Sequence, residues 1–179
     1  MTIRLATLDD AASVAVIYHP YVESTVISFE VTPPTEEDIR ARMRGILARF
    51  PWLVAEDAGR VIGYAYASAH RDRAAYQWSV DTAVYLHQDA HRKGIGRALY
   101  ATLFPMLVRQ GFMNAYAGIT LPNAKSVGLH EAMGFRLVGI YQNVGFKAGQ
   151  WHDVGWWHLP LQSLPSTPQP PVAWTETEG

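Results

Sequence analysis

Apolar and polar residues change their spacing several times along this chain, and each change marks an element. Ile3 and Leu5 alternate with polar neighbours, the pattern of a short strand. Thr7 and Asp10 form a capping pair, and Ala11, Val14, Ala15 and Ile17-Tyr18 then recur at helical spacing, which predicts a helix up to Pro20. Thr35 followed by Glu36, Glu37 and Asp38 predicts a second helix ending before Pro51, with acids where the helix dipole favours them. Trp52 to Glu56 and Val61 to Ala67 predict a hairpin around Asp57-Ala58-Gly59-Arg60. The polar, basic run from His70 to Ala75 reads as a loop, and the β-rich run from Trp78 to Leu86 as a central strand.

An amphipathic helix follows from Arg97 to Arg109, with Leu99, Leu103 and Met106-Leu107 as its buried stripe. Pro105 is expected to kink it by removing a backbone donor, and Gly111 to stop it. Ala115 to Ile119 predicts a strand, Asn123 to Met133 a short helix ended by Gly134, and Arg136 to Tyr141 and Val154 to Leu161 the closing strands. Early hairpins and later crossovers give an α/β class with a mixed sheet, in one domain over residues 1–163. From Leu164 onward, Pro165, Pro168, Pro170 and Pro171 stand among polar residues. Residues 164–179 therefore read as a Pro-rich, flexible tail.

Composition narrows the chemistry. With 49% apolar and 17% charged residues the chain is of the globular kind, and a net charge of −1 argues against a nucleic-acid groove. There is no cysteine, which excludes disulfides, thiolate metal sites and a thiol nucleophile. The histidines lack metal-ligand spacing, so no metal is expected. No run approaches the ~20 apolar residues that span a bilayer, and Asp9 and Asp10 interrupt any leader-like start, so no membrane association and a cytoplasmic location are expected. His19, His70 and His87 read as surface residues, His152-Asp153 as a structural pair, and Trp151, Trp156 and Trp157 as sheet, core or interface residues.

The strongest local feature is Arg92-Lys93-Gly94-Ile95-Gly96-Arg97, between a strand and a helix. Glycines let the backbone approach a phosphate, the helix N-terminus offers free N–H groups, and three cations add positive potential. It is neither a full GxGxxG nor a Walker A loop. Downstream, Asn123 opens a helix, His130 follows on it, and Gly134-Phe135 ends it. In order and distance the two segments resemble the GNAT superfamily, whose pattern is a (Q/R)xxGx(G/A) loop and then an N…Y…GF element. The match covers residues 3 to 161. Three further stretches, Arg73 to Tyr85, Leu129 to Phe135 and Gly145 to Gly155, look like the phosphinothricin/methionine sulfoximine N-acetyltransferase branch.

That resemblance implies a GNAT-like, mostly antiparallel central sheet flanked by helices. It implies acetyl-CoA as co-substrate, a small amino-acid-like amine as acceptor, and a homodimer. Val84, Tyr85 and Leu86 would then lie along the acetyl-pantetheine arm, Arg92, Lys93, Gly94, Ile95, Gly96 and Arg97 would hold the pyrophosphate, and Asn123 would touch the donor. Arg71, Asp72, Arg73, Asp81, Thr82 and Ala83 fall where the branch contacts its acceptor. Asp81 and His130 are the catalytic candidates: Asp81 to take the amine proton directly or through water, His130 to protonate the leaving thiolate or shuttle the amine proton. His91 stands where the superfamily usually has Gln or Arg. Asp81 stands where the branch usually has Glu, one methylene longer. A GNAT acting on a peptide N-terminus or a polyamine, and a non-catalytic sensor of CoA or an amino acid, stay open at this point.

Overall fold

A computed structural model describes residues 1–176. Its elements run β1 (Thr2–Leu5), α1 (Ala11–Glu23), α2 (Glu36–Leu47), β2 (Trp52–Asp57), β3 (Arg60–Ala69), β4 (Ser79–Leu86), α3 (Ile95–Gln110), β5 (Asn114–Leu121), α4 (Ala124–Ala132), β6 (Arg136–Lys147) and β7 (Gln150–Pro160). The strands form one sheet in the order β1-β2-β3-β4-β5-β7-β6. Every neighbouring pair is antiparallel except β4 and β5, which are joined through the crossover helix α3.

Alternation along the strands builds two cores. On β3, Ala65 and Ala67 face α3, where Leu99, Leu103 and Leu107 pack on Val80, Ala115 and Ala117. Small alanines there let the helix close on the sheet. Tyr64 lies on the opposite face with Trp52 and Val54, against Val14 and Ile17 of α1 and Ile39 and Met43 of α2.

The helix signals act through local bonds. Thr35 Oγ1 accepts from the Asp38 N–H at 3.2 Å, and the Asp38 carboxylate accepts from the Thr35 N–H at 2.9 Å, a complete capping box. At Gly111, φ is 93° and the N–H closes onto Leu107 and Val108, ending α3 as the sequence predicts. Pro105 lies within that helix, which begins two residues before the predicted start.

Three expectations change. α1 continues through Pro20 to Glu23, because losing one N–H is outweighed by burying Val22 beside Ile17 and Tyr18. The closing strands are longer than their apolar pattern indicates. β6 and β7 continue to a tight turn at Ala148-Gly149, both at positive φ (51° and 79°), and a bulge between Tyr141 and Gly145 breaks the alternation. The hairpin is also pinned from outside: Lys147 Nζ donates to the carbonyls of Val22 and Ser28 at 2.6 and 2.7 Å.

The third change is the tail. Instead of hanging free, it folds back beside α3. The Val172 N–H donates to the Gln110 carbonyl, the Trp174 N–H donates to the Arg49 carbonyl, and the Trp78 indole donates to the Gln169 carbonyl. Trp174 is buried and joins the α3-side core. Prolines there limit the freedom lost on docking, and one aromatic anchor supplies the apolar area.

Candidate active site

β4 and β5 pair only over Ser79–Asp81 and Asn114–Tyr116. Beyond Asp81 each strand keeps its other neighbour, β3 or β7, and the two diverge. A wedge opens in the middle of the sheet. The facing edge of β4 is left without a strand partner, so its backbone groups are available to an extended ligand.

The wedge leads into a groove of about 410 Å³. Val84, Tyr85, Leu86, Arg92, Gly94, Ile95, Gly96, Arg97 and Asn123, nine of the residues singled out for the donor, line it together. Lys93 does not line it; it faces a separate surface groove with Arg60 and His87. The backbone explains the turn away, since Arg92 and Gly94 both take positive φ (62° and 74°) around it. Gly94 caps α3 with no side-chain acceptor, so the first-turn N–H groups stay free for an anion, with Arg92 and Arg97 beside them. A side chain at Gly96 would meet Leu129 at 3.0 Å, so glycine there lets α3 approach α4. Asn123 has a divided role: its Oδ1 caps α4 by accepting from the Ser126 N–H at 3.1 Å, leaving its amide N–H groups for the groove.

Leu86 is more occupied than the sequence implies. Its carbonyl accepts from the Tyr21 hydroxyl at 2.7 Å, and the same hydroxyl lies 3.1 Å from His91 Nε2. Tyr85 turns its ring into the cluster of Tyr18, Tyr21 and Tyr64. Tyr21, Ile27, His91, Lys125, Ser126 and Leu129 complete the lining. Sequence reasoning missed them as site residues because their role follows from the way α1 and α4 meet the wedge.

A small cavity of about 70 Å³ continues the groove inward, with Thr82, Ala83, Tyr100, Thr120 and His130 in its wall. His130 is buried. Its Nδ1 is 2.8 Å from the Ser126 carbonyl, which can only accept, so Nδ1 carries the proton. Nε2 then accepts from the Tyr100 hydroxyl at 3.0 Å. Burial pulls the His130 pKa below the ordinary histidine value, only partly offset by the Ser126 carbonyl, and burial pushes the Tyr100 phenol upward. The sequence reading gave His130 an ordinary pKa; in the fold it is a neutral ring in series with Tyr100.

Asp81 lies at the apex of the wedge, on the opposite face. It pairs with Ser68 across β3 and with Tyr116 across β5, and so shares the face of Tyr66 and Tyr85. Thr82 and Val84 point to the α3 side with His130. The two catalytic candidates thus flank the wedge from opposite faces. Burial raises the Asp81 carboxyl above its ordinary value, and the hydrogen bond and charge of His70 and the charge of Arg71 pull it back in part.

His70 corrects the sequence reading. It is not a surface residue: its Nδ1 is 2.6 Å from Asp81 Oδ1, and its ring stacks on Tyr116 at 4.5 Å. Period and composition carried no signal for this, because His70 reaches Asp81 only through the β3–β4 register. Arg71 stands beside the pair, its guanidinium 5.4 Å from the Trp156 ring and donating to the His70 carbonyl. Asp72 and Arg73 are exposed on the loop. Trp156 fills the space over Gly118, whereas Trp157 is buried in the core and Trp151 is exposed. His152 Nε2 donates to the Lys147 carbonyl and Asp153 accepts from the Asn143 N–H, which gives both side chains a structural role.

A sheet split between its two parallel strands, with an anion-binding helix start beside the split, defines a GNAT acetyltransferase. The model of the acetyltransferase (GNAT) domain matches residues 3–156, and the chain belongs to that family. It is similar to a phosphinothricin N-acetyltransferase of Streptomyces viridochromogenes, at 40% identity over 94% of this chain and 91% of that protein. It is similar to an L-methionine sulfoximine/L-methionine sulfone acetyltransferase of Salmonella typhimurium, at 33% identity over 90% of this chain and 95% of that one. Among solved structures, a GNAT superfamily phosphinothricin acetyltransferase from Sinorhizobium meliloti, in complex with AcCoA, superposes with a TM-score of 0.89 at 37% identity, covering 97% of each chain.

Proposed function

We propose that this protein transfers an acetyl group from acetyl-CoA to the amine of a small amino-acid-like acceptor of the phosphinothricin, methionine sulfoximine or methionine sulfone type. The observation that carries the reading is the wedge itself: β4 and β5 part just past Asp81, and the groove runs along the parted strand from Val84 to Leu86. An ammonium has no lone pair to give, so the site must first remove a proton, and a half-buried carboxylate at the apex supports that step. The neutral amine attacks the thioester carbonyl directly, and the β4 N–H groups near Val84 face the developing oxyanion. Collapse breaks the C–S bond, and the thiolate leaves on the side of the Tyr100–His130 pair. Arg71 offers a fork of donors to the acceptor's carboxylate or phosphinate. A cation there also argues against a polyamine acceptor.

Release of CoA thiol with phosphinothricin, methionine sulfoximine and methionine sulfone, against spermidine and a short peptide, tests the reading. Release with the amino-acid analogues alone is expected. Acetyl-CoA binding with no release from any amine would make the protein a sensor instead. A cytoplasmic location fits the donor, and no helix among the described residues is long and apolar enough to cross a membrane.

The reading includes a homodimer. β6 is the sheet's last strand, and Leu137, Val138, Ile140, Tyr141 and Val144 are exposed along it, an apolar edge that a second copy would cover. Sedimentation equilibrium should give about twice the 20.0 kDa chain mass; a monomer at micromolar concentration removes this part of the proposal.

A further inference from the structure

Resting on the acetyltransferase reading, we infer that His70, held by Asp81, is the base that takes the acceptor's ammonium proton, and that Asp81 is its positioning partner. The ring is fixed on several sides. Asp81 Oδ1 sits 2.6 Å from Nδ1, Tyr116 stacks on one face at 4.5 Å, and Trp156 and Tyr76 stand edge-on at 5.9 and 6.0 Å. An ionised carboxylate can only accept, so Nδ1 carries the ring proton and the lone pair lies at Nε2. Nε2 makes no hydrogen bond to any described residue. The side chain keeps 13% exposure although the ring is packed.

Asp81 alone is poorly suited to reach the amine, because one of its oxygens is committed to the imidazole. The ring extends the reach of the pair by its own width, toward the side where Arg71 and Trp156 stand. It thereby replaces the methylene by which Asp81 is shorter than a glutamate. The proton inventory closes. One ammonium proton passes to His70 Nε2 and then to water. The freed lone pair forms the N–C bond, the C–S bond breaks, and the second proton lost by nitrogen ends on the thiol.

The groups that face His70 are Asp81 on β4, Arg71 and Tyr76 on its own loop, and Tyr116 on β5, with His158 of β7 stacked on Tyr116 at 4.8 Å.

The test is His70→Phe, which keeps a ring on Tyr116 but has no proton acceptor. With a competent amino-acid analogue, kcat/KM should fall by about 10²–10⁴-fold, the range for a general base. Acetyl-CoA affinity should stay the same. A second variant, His70→Ala, should regain activity with added imidazole. A His70→Phe enzyme with wild-type kcat/KM overturns the inference, as does a His70→Ala enzyme that folds, binds acetyl-CoA and ignores imidazole. A wild-type enzyme inactive with every amine is a different result, because it strikes at the acetyltransferase reading itself.

Discussion

Asp81→Asn is expected to lower kcat by about 10²–10⁴-fold, the usual loss for a group that works in proton transfer. The substitution is nearly isosteric, so the apex of the wedge keeps its shape. What goes is the negative charge. An amide cannot stabilise the imidazolium that forms on His70, and its N–H group can force the His70 proton onto Nε2, the nitrogen that must be bare. Acetyl-CoA affinity should be nearly unchanged, because Asp81 is not in the wall of the donor groove. Steady-state kinetics together with a direct binding measurement separate the two effects. An unchanged kcat would take Asp81 out of the chemistry and leave proton removal to solvent or the Tyr100–His130 pair. A fall in kcat with a fully active His70→Phe enzyme would make Asp81 the group that acts, through a water.

Trp174→Ala is expected to cost about 3–5 kcal/mol of stability, the range for removing a buried large aromatic. The residue lies 6% exposed in the α3-side core, and Arg109 stacks over its ring at 5.5 Å. Its loss frees the strand of chain that satisfies Gln110, a side chain 1% exposed whose amide donates to both Arg49 and Val172 carbonyls. Chemical denaturation measures the loss. A change under about 0.5 kcal/mol, typical of a surface site, would restore the free-tail reading of the sequence.

What the sequence disclosed was what lies in local pattern. The capping box at Thr35, the glycine stop at Gly111 and the hairpin turn between β2 and β3 are each set by neighbours a few residues apart, and each reads directly. The groove residues from Arg92 to Asn123 were also legible, because an anion site at a helix start needs glycine and cations at fixed spacing. Lys93 was the exception, turned outward by backbone angles that spacing does not encode. His70, Tyr100 and Trp174 escaped for one reason. Each acts through a partner more than ten residues away, and only the strand register or the docked tail brings the pair together. A histidine in a basic loop and a tryptophan among prolines look the same in sequence whether or not a partner waits for them.

The split between β4 and β5 also makes the sheet a mechanical object. Four strands, β1 to β4, form one leaf and three, β5 to β7, form the other. The leaves meet along a spine of three residue pairs, with α3 as the strap between them. Asp81 and Tyr116 are the last pair on that spine. On the proposed reading, a pantetheine arm held in the wedge would lie between the two leaves. The proton-removing apparatus straddles the fold line, with Asp81 on one leaf and the Tyr116 platform under His70 on the other.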